Sequence, residues 1–321
     1  MSQTNTSPKP RLRESGLRAF PHNLAQDFQR NKVIYLLCIP IVIWYIIFCY
    51  LPMGGLVMSF EQFSPAKGIF GSKWVGLKNF EQFFTGPFFF RTLRNTAMIG
   101  LLELLFSFPM PILFALLLNE VHHIRFKKVV QTISYMPYFI SMVVICGIIK
   151  DFTESNGVIS NLVAAISGGK AYNLLGNSAN FRAIYIISSI WQTFGYGSII
   201  YLAAIAGVDQ ALYEAAVVDG AGRWRQTVHI TIPEIMPTVI ILLILKMGTL
   251  LAVGAEKILL LYSPATYETA DVISTYVYRE GLQNFNYGYS TAVGLFNSFI
   301  NTALLLGANF LSRKYSETSL F

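Results

Sequence analysis

Two charged side chains interrupt apolar stretches of sequence that are otherwise long enough to cross a membrane. Glu103 lies within the stretch 95–119, and Lys246 lies eleven residues after Ile235, which is about 16 Å along a helix. A charge near the middle of a bilayer costs roughly 2.5–3.5 kcal/mol on insertion scales, so such a side chain normally faces protein or water. The chemistry that this pattern indicates is electrostatic, because a shielded ammonium or carboxylate attracts an opposite charge.

The motifs that carry catalysis or nucleotide binding are absent from the sequence. Residues 168–171 read GGKA, so the glycine and lysine are not followed by the serine or threonine of a phosphate-binding loop. The dinucleotide fingerprint, the zinc-protease helix motif, the C-x-x-C pair and the nucleophile elbow are also missing. His122 and His123 are adjacent on a basic loop, where contact with lipid headgroups is favoured over a metal site. The sequence therefore predicts no catalytic residue and no metal ligand.

The composition indicates a membrane protein. Of the 321 residues, 54% are hydrophobic, 14% aromatic and 13% charged, and the mean hydropathy is +0.50, which lies outside the range of soluble domains. This excludes soluble enzymes and disordered scaffolds. The net charge of +7 comes from basic residues beside apolar stretches, where they contact membrane lipid, so it does not indicate a nucleic-acid partner. The cysteines lie within apolar stretches and offer no disulfide framework: Cys38, Cys49 and Cys146.

Apolar stretches of about 20 residues predict an all-α fold with six membrane-spanning helices. Basic residues number thirteen on the side that holds both termini and ten on the other side, so both termini are assigned to the cytoplasm. The predicted organisation is a basic cytoplasmic segment 1–32, a six-span transmembrane domain 33–312 and a cytoplasmic tail 313–321. The predicted spans are 33–60, 95–119, 129–149, 183–208, 235–255 and 290–311.

Aromatic residues concentrate in the predicted extracytoplasmic segment 61–94. Trp74, Phe80 and Phe88 are examples, and the pattern suits a helix that lies on the membrane surface. Two interpretations stay open, namely an aromatic belt at the lipid interface and a surface that binds a partner protein.

The predicted cytoplasmic loop 209–234 has the pattern of two helices joined by a glycine turn. Asp209 can cap the first helix, Gly220 and Gly222 end it, and Pro233 suits the start of the next span. The first helix has an apolar side. An amphipathic hairpin that exposes apolar residues to water needs a partner protein to cover it.

The same loop resembles the EAA loop of the membrane subunits of binding-protein-dependent ABC importers. The match consists of Glu-Ala-Ala at 214–216, Gly220, Ile230 and Ile-Pro at 232–233, with isoleucine at 232 where the family prefers leucine. The resemblance implies the MetI-like fold of type I ABC importer permeases. It also implies that the loop forms a coupling helix seated in a cleft of the ATPase subunit. The coupling residues that follow from it are Glu214, Ala215, Ala216, Asp219, Gly220, Ile230 and Pro233.

Further segments narrow the resemblance within this family. Residues 74–80, 94–96 and 137–141 are similar to maltose-permease-like sugar transporters. Residues 264–271 and 289–295 are similar to permeases that serve oligosaccharides and polysaccharide fragments. The resemblance therefore implies a sugar substrate of more than one residue.

The resemblance also implies the partners and the location of the chain. It implies a multi-pass subunit of the bacterial cytoplasmic (inner) membrane that works with a second, homologous permease subunit, two ATPase subunits and an extracytoplasmic sugar-binding protein. ATP and Mg would bind to the ATPase, so this chain would be a conduit without a cofactor and not an enzyme. Two other classes compete. An ion-gradient-driven secondary sugar transporter needs a midplane acidic relay and inverted repeats, and a membrane enzyme needs a catalytic constellation; the sequence shows none of these.

Polar side chains at helical spacing in the last three predicted spans are candidates for the substrate path. Span five is predicted to extend to residue 255, so Glu256 and Lys257 follow Lys246 on one helical face. Such stripes can hydrogen-bond sugar hydroxyls. The predicted path residues are Gln192, Tyr196, Lys246, Glu256, Asn297 and Asn301, and the aromatic residues predicted to stack on sugar rings are Trp191, Phe194 and Tyr201.

A packing interpretation of the same side chains stays open. Asn, Ser and Gln also hydrogen-bond membrane helices to each other. Lys246 can be neutralised by Glu103 or Glu256, and Glu103 itself is interpreted as structural.

Overall fold

The structure is a computed structural model that describes residues 30–315, with the side chain of residue 315 excluded. Most of the basic segment 1–32 and of the tail 313–321 lies outside the described residues. The chain divides into two compact units, Met1–Leu56 and Val57–Phe321. The described part of the first unit is helical and consists of α1 (Lys32–Tyr45), a π turn (Ile46–Tyr50) and a short helical continuation (Leu51–Met53).

The second unit is almost entirely helical, apart from a two-stranded antiparallel ribbon in which Glu61 pairs with Trp74. Its strands are β1 (Glu61–Gln62) and β2 (Lys73–Trp74). Its helices are α2 (Gly68–Gly71), α3 (Lys78–Thr85), α4 (Phe89–Asn119), α5 (Ile124–Tyr135), α6 (Met142–Thr153), α7 (Val158–Ser167), α8 (Ser178–Ala206), α9 (Gln210–Val218), α10 (Arg223–Met247), α11 (Ala255–Leu261), α12 (Tyr267–Ala270), α13 (Ile273–Tyr278) and α14 (Tyr287–Tyr315).

Four described helical segments are long and apolar enough to cross a membrane, and two bent helix pairs bring the number to as many as six. The four segments are Lys32–Phe60, Phe89–Asn119, Arg223–Met247 and Tyr287–Lys314. The bent pairs are α5 with its 3-10 extension followed by α6 and α7, and α8 followed by α9. By itself, α8 has 29 residues, about 44 Å of helix, which exceeds the roughly 30 Å apolar core of a bilayer.

The third predicted span, 129–149, is not one continuous helix. The chain bends by 99° between Phe139 and Met142. Pro137 has no N–H to continue an α-helical ladder, and the chain there tightens into a 3-10 turn. Ser141 then adopts an extended conformation, and its hydroxyl accepts a hydrogen bond from Val144 N at 3.4 Å, which starts a new helix.

The fifth predicted span is displaced at both ends. The helix begins at Arg223, so Pro233 is not its start, and a π turn at Thr227–Thr231 directly precedes the turn that contains the proline. The helix ends at Met247, and residues 248–254 form turns and irregular backbone before α11 begins. Lys246, Glu256 and Lys257 therefore do not lie on one continuous helical face, because the helix that would align them is interrupted.

The largest core cluster fills the space between α4, α6, α8 and α11. Fully buried aliphatic and aromatic side chains from these four helices meet there, as expected when helices bury a shared apolar stripe. Gly100 on α4 allows an unusually close approach, because a Cβ at that position would overlap the carbonyl oxygen of Leu250. The central residues are Ile99, Ile145, Phe181, Tyr185 and Ile258.

A buried carboxylate ties α4 to the segment between α12 and α14. Asp271 is fully buried and accepts hydrogen bonds from Arg91 Nη2 at 2.9 Å and from Arg279 Nη2 at 2.8 Å. Burial alone would lower the pKa of Arg279, but its hydrogen bonds and charge attraction to Asp271 outweigh burial and raise the pKa above its ordinary value. Asn95 on α4 donates to the backbone carbonyl of Asp271 at 3.0 Å, which completes the junction.

We expect Asp271→Asn to lower the free energy of unfolding by about 3–5 kcal/mol, because it leaves two arginines beside a neutral side chain. The measurement is the melting temperature of the purified protein, with Glu268→Gln as the matched control on an exposed neighbouring residue. Equal melting temperatures for both variants would show that the junction does not stabilise the fold.

Candidate functional site

Lys246 and Glu103 form an ion pair between α10 and α4. Lys246 Nζ lies 2.8 Å from Glu103 Oε2, and the two side chains are 34% and 16% exposed. Lys246 is in the last turn of α10, and Glu103 begins a π turn within α4. Of the two acidic partners considered for Lys246, the structure selects Glu103. Glu256 instead is exposed in the first turn of α11.

Two residues that are not among the predicted path residues, Tyr185 and Lys257, extend this ion pair into a charged cluster. Tyr185 on α8 donates from its hydroxyl to Glu103 Oε1 at 3.1 Å. Lys257 is 3% exposed, and its Nζ lies 5.0 Å from the centre of the Tyr185 ring and donates to Ser189 Oγ at 2.8 Å. We call Glu103, Tyr185, Lys246 and Lys257 the charged cluster. It contains two ammonium groups and one carboxylate, and Lys257 has no ion-pair partner within the described part of the chain.

The side chains of Asn297 and Asn301 make hydrogen bonds to the protein backbone. Asn301 Oδ1 accepts a hydrogen bond from Leu251 N at 2.9 Å, and Asn297 Nδ2 donates to Leu251 O at 3.3 Å. Leu251 lies in the irregular segment 248–254. For these two predicted path residues, the structure therefore shows the contacts of the packing interpretation.

The remaining predicted path residues, on α8, are not brought into contact with Lys246. Gln192 is buried, and Tyr196 stacks on Tyr138 with ring centres 3.9 Å apart. The polar contacts of Lys246, Asn297 and Asn301 within residues 30–315 do not include either of them. Two of the predicted sugar-stacking residues serve packing, since Tyr201 is buried and Phe194 lies edge-to-face on Phe114.

The loop 209–234 contains the predicted first helix and glycine turn. Asp209 Oδ1 accepts a hydrogen bond from Ala211 N at 2.9 Å and caps α9. Gly220 has a φ of 73°, a left-handed conformation that other residues adopt with strain. Ala221 N then bonds to Ala216 O at 2.8 Å, which closes the helix end as a C-cap does. The predictions that Asp209 caps the first helix and that Gly220 ends it are confirmed. The second arm of the hairpin is not a separate helix, because it is the beginning of α10.

The surface of this hairpin exposes apolar side chains around its turn. Val218 is 87% exposed and Trp224 is 79% exposed. Tyr213 faces inward, and its hydroxyl lies 2.8 Å from Thr231 Oγ1, which ties α9 to α10. A cavity of about 300 Å³ lies beneath the hairpin and is lined by polar residues that include Glu120, Gln210 and Arg223.

The seven predicted coupling residues divide into an exposed and a partly buried set. Ala216 and Ile230 are partly buried, and Ile230 packs against a core cluster that contains Ile205 and Ile235. The others are exposed on the hairpin or just after it: Glu214, Ala215, Asp219, Gly220 and Pro233.

The side chains of the two adjacent histidines contact backbone atoms of neighbouring residues. His122 Nδ1 lies 2.8 Å from Glu120 O, and His123 Nδ1 accepts a hydrogen bond from Phe126 N at 3.3 Å, which caps α5. Among the described residues, no group of three His, Cys, Asp or Glu side chains could hold a metal ion.

The chain matches a family of membrane transport proteins. The chain belongs to the family described as binding-protein-dependent transport system inner membrane component, whose model matches residues 19–317. It is thus the permease subunit of an ABC transporter and a multi-pass membrane protein. It is not an enzyme, and ATP hydrolysis belongs to a separate subunit of such transporters. The ion-gradient-driven alternative gains no support from this family.

Two curated relatives from Bacillus subtilis (strain 168) cover nearly the whole chain. The protein LplB is 44% identical over 294 residues, which cover 91% of this chain and 92% of LplB. The polygalacturonan/rhamnogalacturonan transport system permease protein YteP is 44% identical over 292 residues, which cover 91% of each chain. A crystal structure of a bacterial alginate ABC transporter, bound to a periplasmic protein that holds an alginate pentasaccharide, contains a chain that is 44% identical. It superposes with a TM-score of 0.84 over 92% of this chain and 99% of that chain.

We expect Asn301→Leu to destabilise the protein by about 1–3 kcal/mol, because it leaves the buried N–H of Leu251 without an acceptor. The melting temperature of the purified complex should fall while its preference among glycans stays unchanged. Ser298→Ala is the control, since this exposed hydroxyl bonds within its own helix. Altered glycan preference at an unchanged melting temperature would instead place Asn301 in the substrate path.

Proposed function

We propose that this chain is one membrane subunit of an ATP-driven importer that moves oligosaccharides or polysaccharide fragments across the bacterial cytoplasmic membrane. The observation that carries the proposal is the exposed apolar hairpin formed by α9 and the start of α10, which needs a partner to cover Val218 and Trp224. Its shape and its residues fit a coupling element seated on an ATPase. The relatives named above, which serve polygalacturonan and alginate, support the substrate class.

The proposed assembly contains this chain, a second homologous permease subunit, two ATPase subunits and an extracytoplasmic sugar-binding protein. ATP and Mg would bind to the ATPase subunits. The proposed topology has six spans within 33–312, with both termini in the cytoplasm and the loop 209–234 on the ATPase side. ATPase closure would draw the hairpins of the two permease subunits together and change which side of the membrane the sugar path faces.

Within the membrane, Lys246 is the predicted path residue that the structure supports best. Its ammonium is partly exposed, whereas Asn297 and Asn301 are bound to backbone. Acidic sugars suit this site, because an ammonium in a partly desolvated site attracts a carboxylate more strongly than in water. Gln192, Tyr196 and Glu256 stay predictions for the wall of the path.

We expect Gly220→Pro and Glu214→Lys to abolish stimulation of the ATPase by the sugar-loaded binding protein while the complex still assembles. Proline fixes φ near −65° and cannot adopt the left-handed turn at Gly220, and the lysine reverses a charge on the exposed face of α9. The measurements are ATPase rate and sugar uptake of the complex in proteoliposomes.

Matched controls come from outside the hairpin. Gly168 also has a left-handed φ, 68°, with open space around it, and it is exposed at the end of α7. Gly168→Pro and Glu154→Lys should therefore leave ATPase stimulation unchanged. Normal stimulation and uptake in the two hairpin variants would mean that this loop is not the coupling element.

We also expect the chain alone to show neither ATPase activity nor sugar uptake, since it has no phosphate-binding loop and supplies one half of a path. The measurement is uptake of labelled oligosaccharide into liposomes that contain only this chain, compared with liposomes that contain the complete complex. Robust uptake by the chain alone without ATP would contradict the importer.

A further inference from the structure

The charged cluster has an excess of positive charge. Lys246 pairs with the carboxylate of Glu103, whereas the second ammonium group, on Lys257, lies over the Tyr185 ring and has no ion-pair partner among residues 30–315. Lys257 is held by the Tyr185 ring, by Ser189 Oγ and, at 3.4 Å, by the carbonyl of Tyr185. A second anion at this place would therefore be attracted by the cluster as a whole.

Glu103 can release Lys246 without being left unpaired. Its Oε2 contacts Lys246, whereas its Oε1 accepts the hydroxyl of Tyr185 at 3.1 Å. The carboxylate also lies 16% exposed at the first residue of a π turn, a local widening of the helix that is frequent at functional sites. Loss of the contact with Lys246 would thus leave Glu103 with the hydroxyl of Tyr185 as a hydrogen-bond donor.

Lys246 is the more accessible and the less constrained partner of the pair. Its side chain is 34% exposed, about twice the fraction of Glu103, and its one ion-pair contact within the described residues is to Glu103. It lies in the last turn of α10, where the carbonyl end of the helix favours a cation whichever anion it binds. The ammonium of Lys246 can therefore move from one anion to another while the backbone of α10 stays in place.

We propose that Glu103 is an internal counter-ion that occupies Lys246 in the empty transporter and is displaced by the carboxylate of a uronate residue of the glycan. In the loaded state Lys246 binds the uronate, and Glu103 keeps its hydrogen bond to Tyr185. Lys257 supplies the second positive charge that holds two carboxylates in one place. The exchange makes the pair a selectivity element for acidic over neutral glycans. This inference rests on the proposed function as a sugar importer.

The test uses the complete transporter in lipid nanodiscs, without the binding protein, so that glycan selection by the binding protein does not enter. The probes are a galacturonate trisaccharide and the same trisaccharide with its carboxylates reduced to alcohols. Dissociation constants are measured by calorimetry for the wild type, Lys246→Met and Glu103→Gln. Lys170→Met and Glu154→Gln, both exposed residues, serve as matched controls.

The two variants should act in opposite directions on the acidic probe. Lys246→Met should weaken binding of the galacturonate trisaccharide about tenfold or more, because it removes the cation. Glu103→Gln should strengthen that binding about threefold to tenfold, because it removes the competing anion and keeps an acceptor for Tyr185. Binding of the reduced trisaccharide should change in neither variant, and the controls should match the wild type with both probes.

A purely structural ion pair gives a different result. Both variants would then lower the melting temperature and weaken binding of both trisaccharides alike. That result would overturn the proposed exchange but not the proposed function as an importer. Lys246→Arg provides a second readout if Lys246→Met reduces the yield of the complex, since it should keep the acidic preference; loss of that preference overturns the inference. A wild-type complex that binds neither probe, and whose ATPase does not respond to any sugar-loaded binding protein, overturns the proposed function as well.

Discussion

The backbone of residues 248–254 has to be hydrogen-bonded although α10 has ended, and side chains from α13 and α14 meet this requirement. Irregular backbone at membrane depth is tolerated where protein covers it. Asn301 and Asn297 on α14 bind the two backbone polar groups of Leu251, and Ser274 donates to Val253 O at 3.2 Å. The break that these contacts support ends α10 just after Lys246 and turns the chain, so that Lys257 meets α8 instead of following Lys246 along one helix.

The parts of the fold that could be predicted from sequence are those that local residue types determine. A capping aspartate at 209 and a left-handed glycine at 220 specify the hairpin without reference to the rest of the chain. The bends could not be placed from hydropathy, because residues 129–149 are apolar on both sides of the bend at Ile140. The same holds for the end of α10, which depends on asparagines about fifty residues later in the chain.

The site was predictable in its residue types and less so in its contacts. Lys246 and Glu103 stand out in the sequence because charges in apolar stretches are costly. That Lys246 pairs with Glu103 and not with Glu256 follows only from the contact between α4 and α10 in the structure. Tyr185 could not be selected from sequence, since a tyrosine in an apolar helix is ordinary. Lys257 is noticeable because it is a charge next to a predicted span, but it is predicted to continue the helix of Lys246, whereas it lies in α11. Asn297 and Asn301 show why polar stripes are ambiguous, because an amide binds backbone and sugar hydroxyls through the same atoms.

The close contact at Gly100 restricts which residues position 100 can hold. Gly100 lies one turn before Glu103 on α4, and its missing side chain lets that helix rest on the carbonyl oxygen of Leu250. A larger residue at 100 would lift α4 from the irregular segment and carry the Glu103 carboxylate away from Lys246. A substitution at position 100 would therefore weaken the Lys246–Glu103 ion pair through the backbone of α4, without changing either charged side chain.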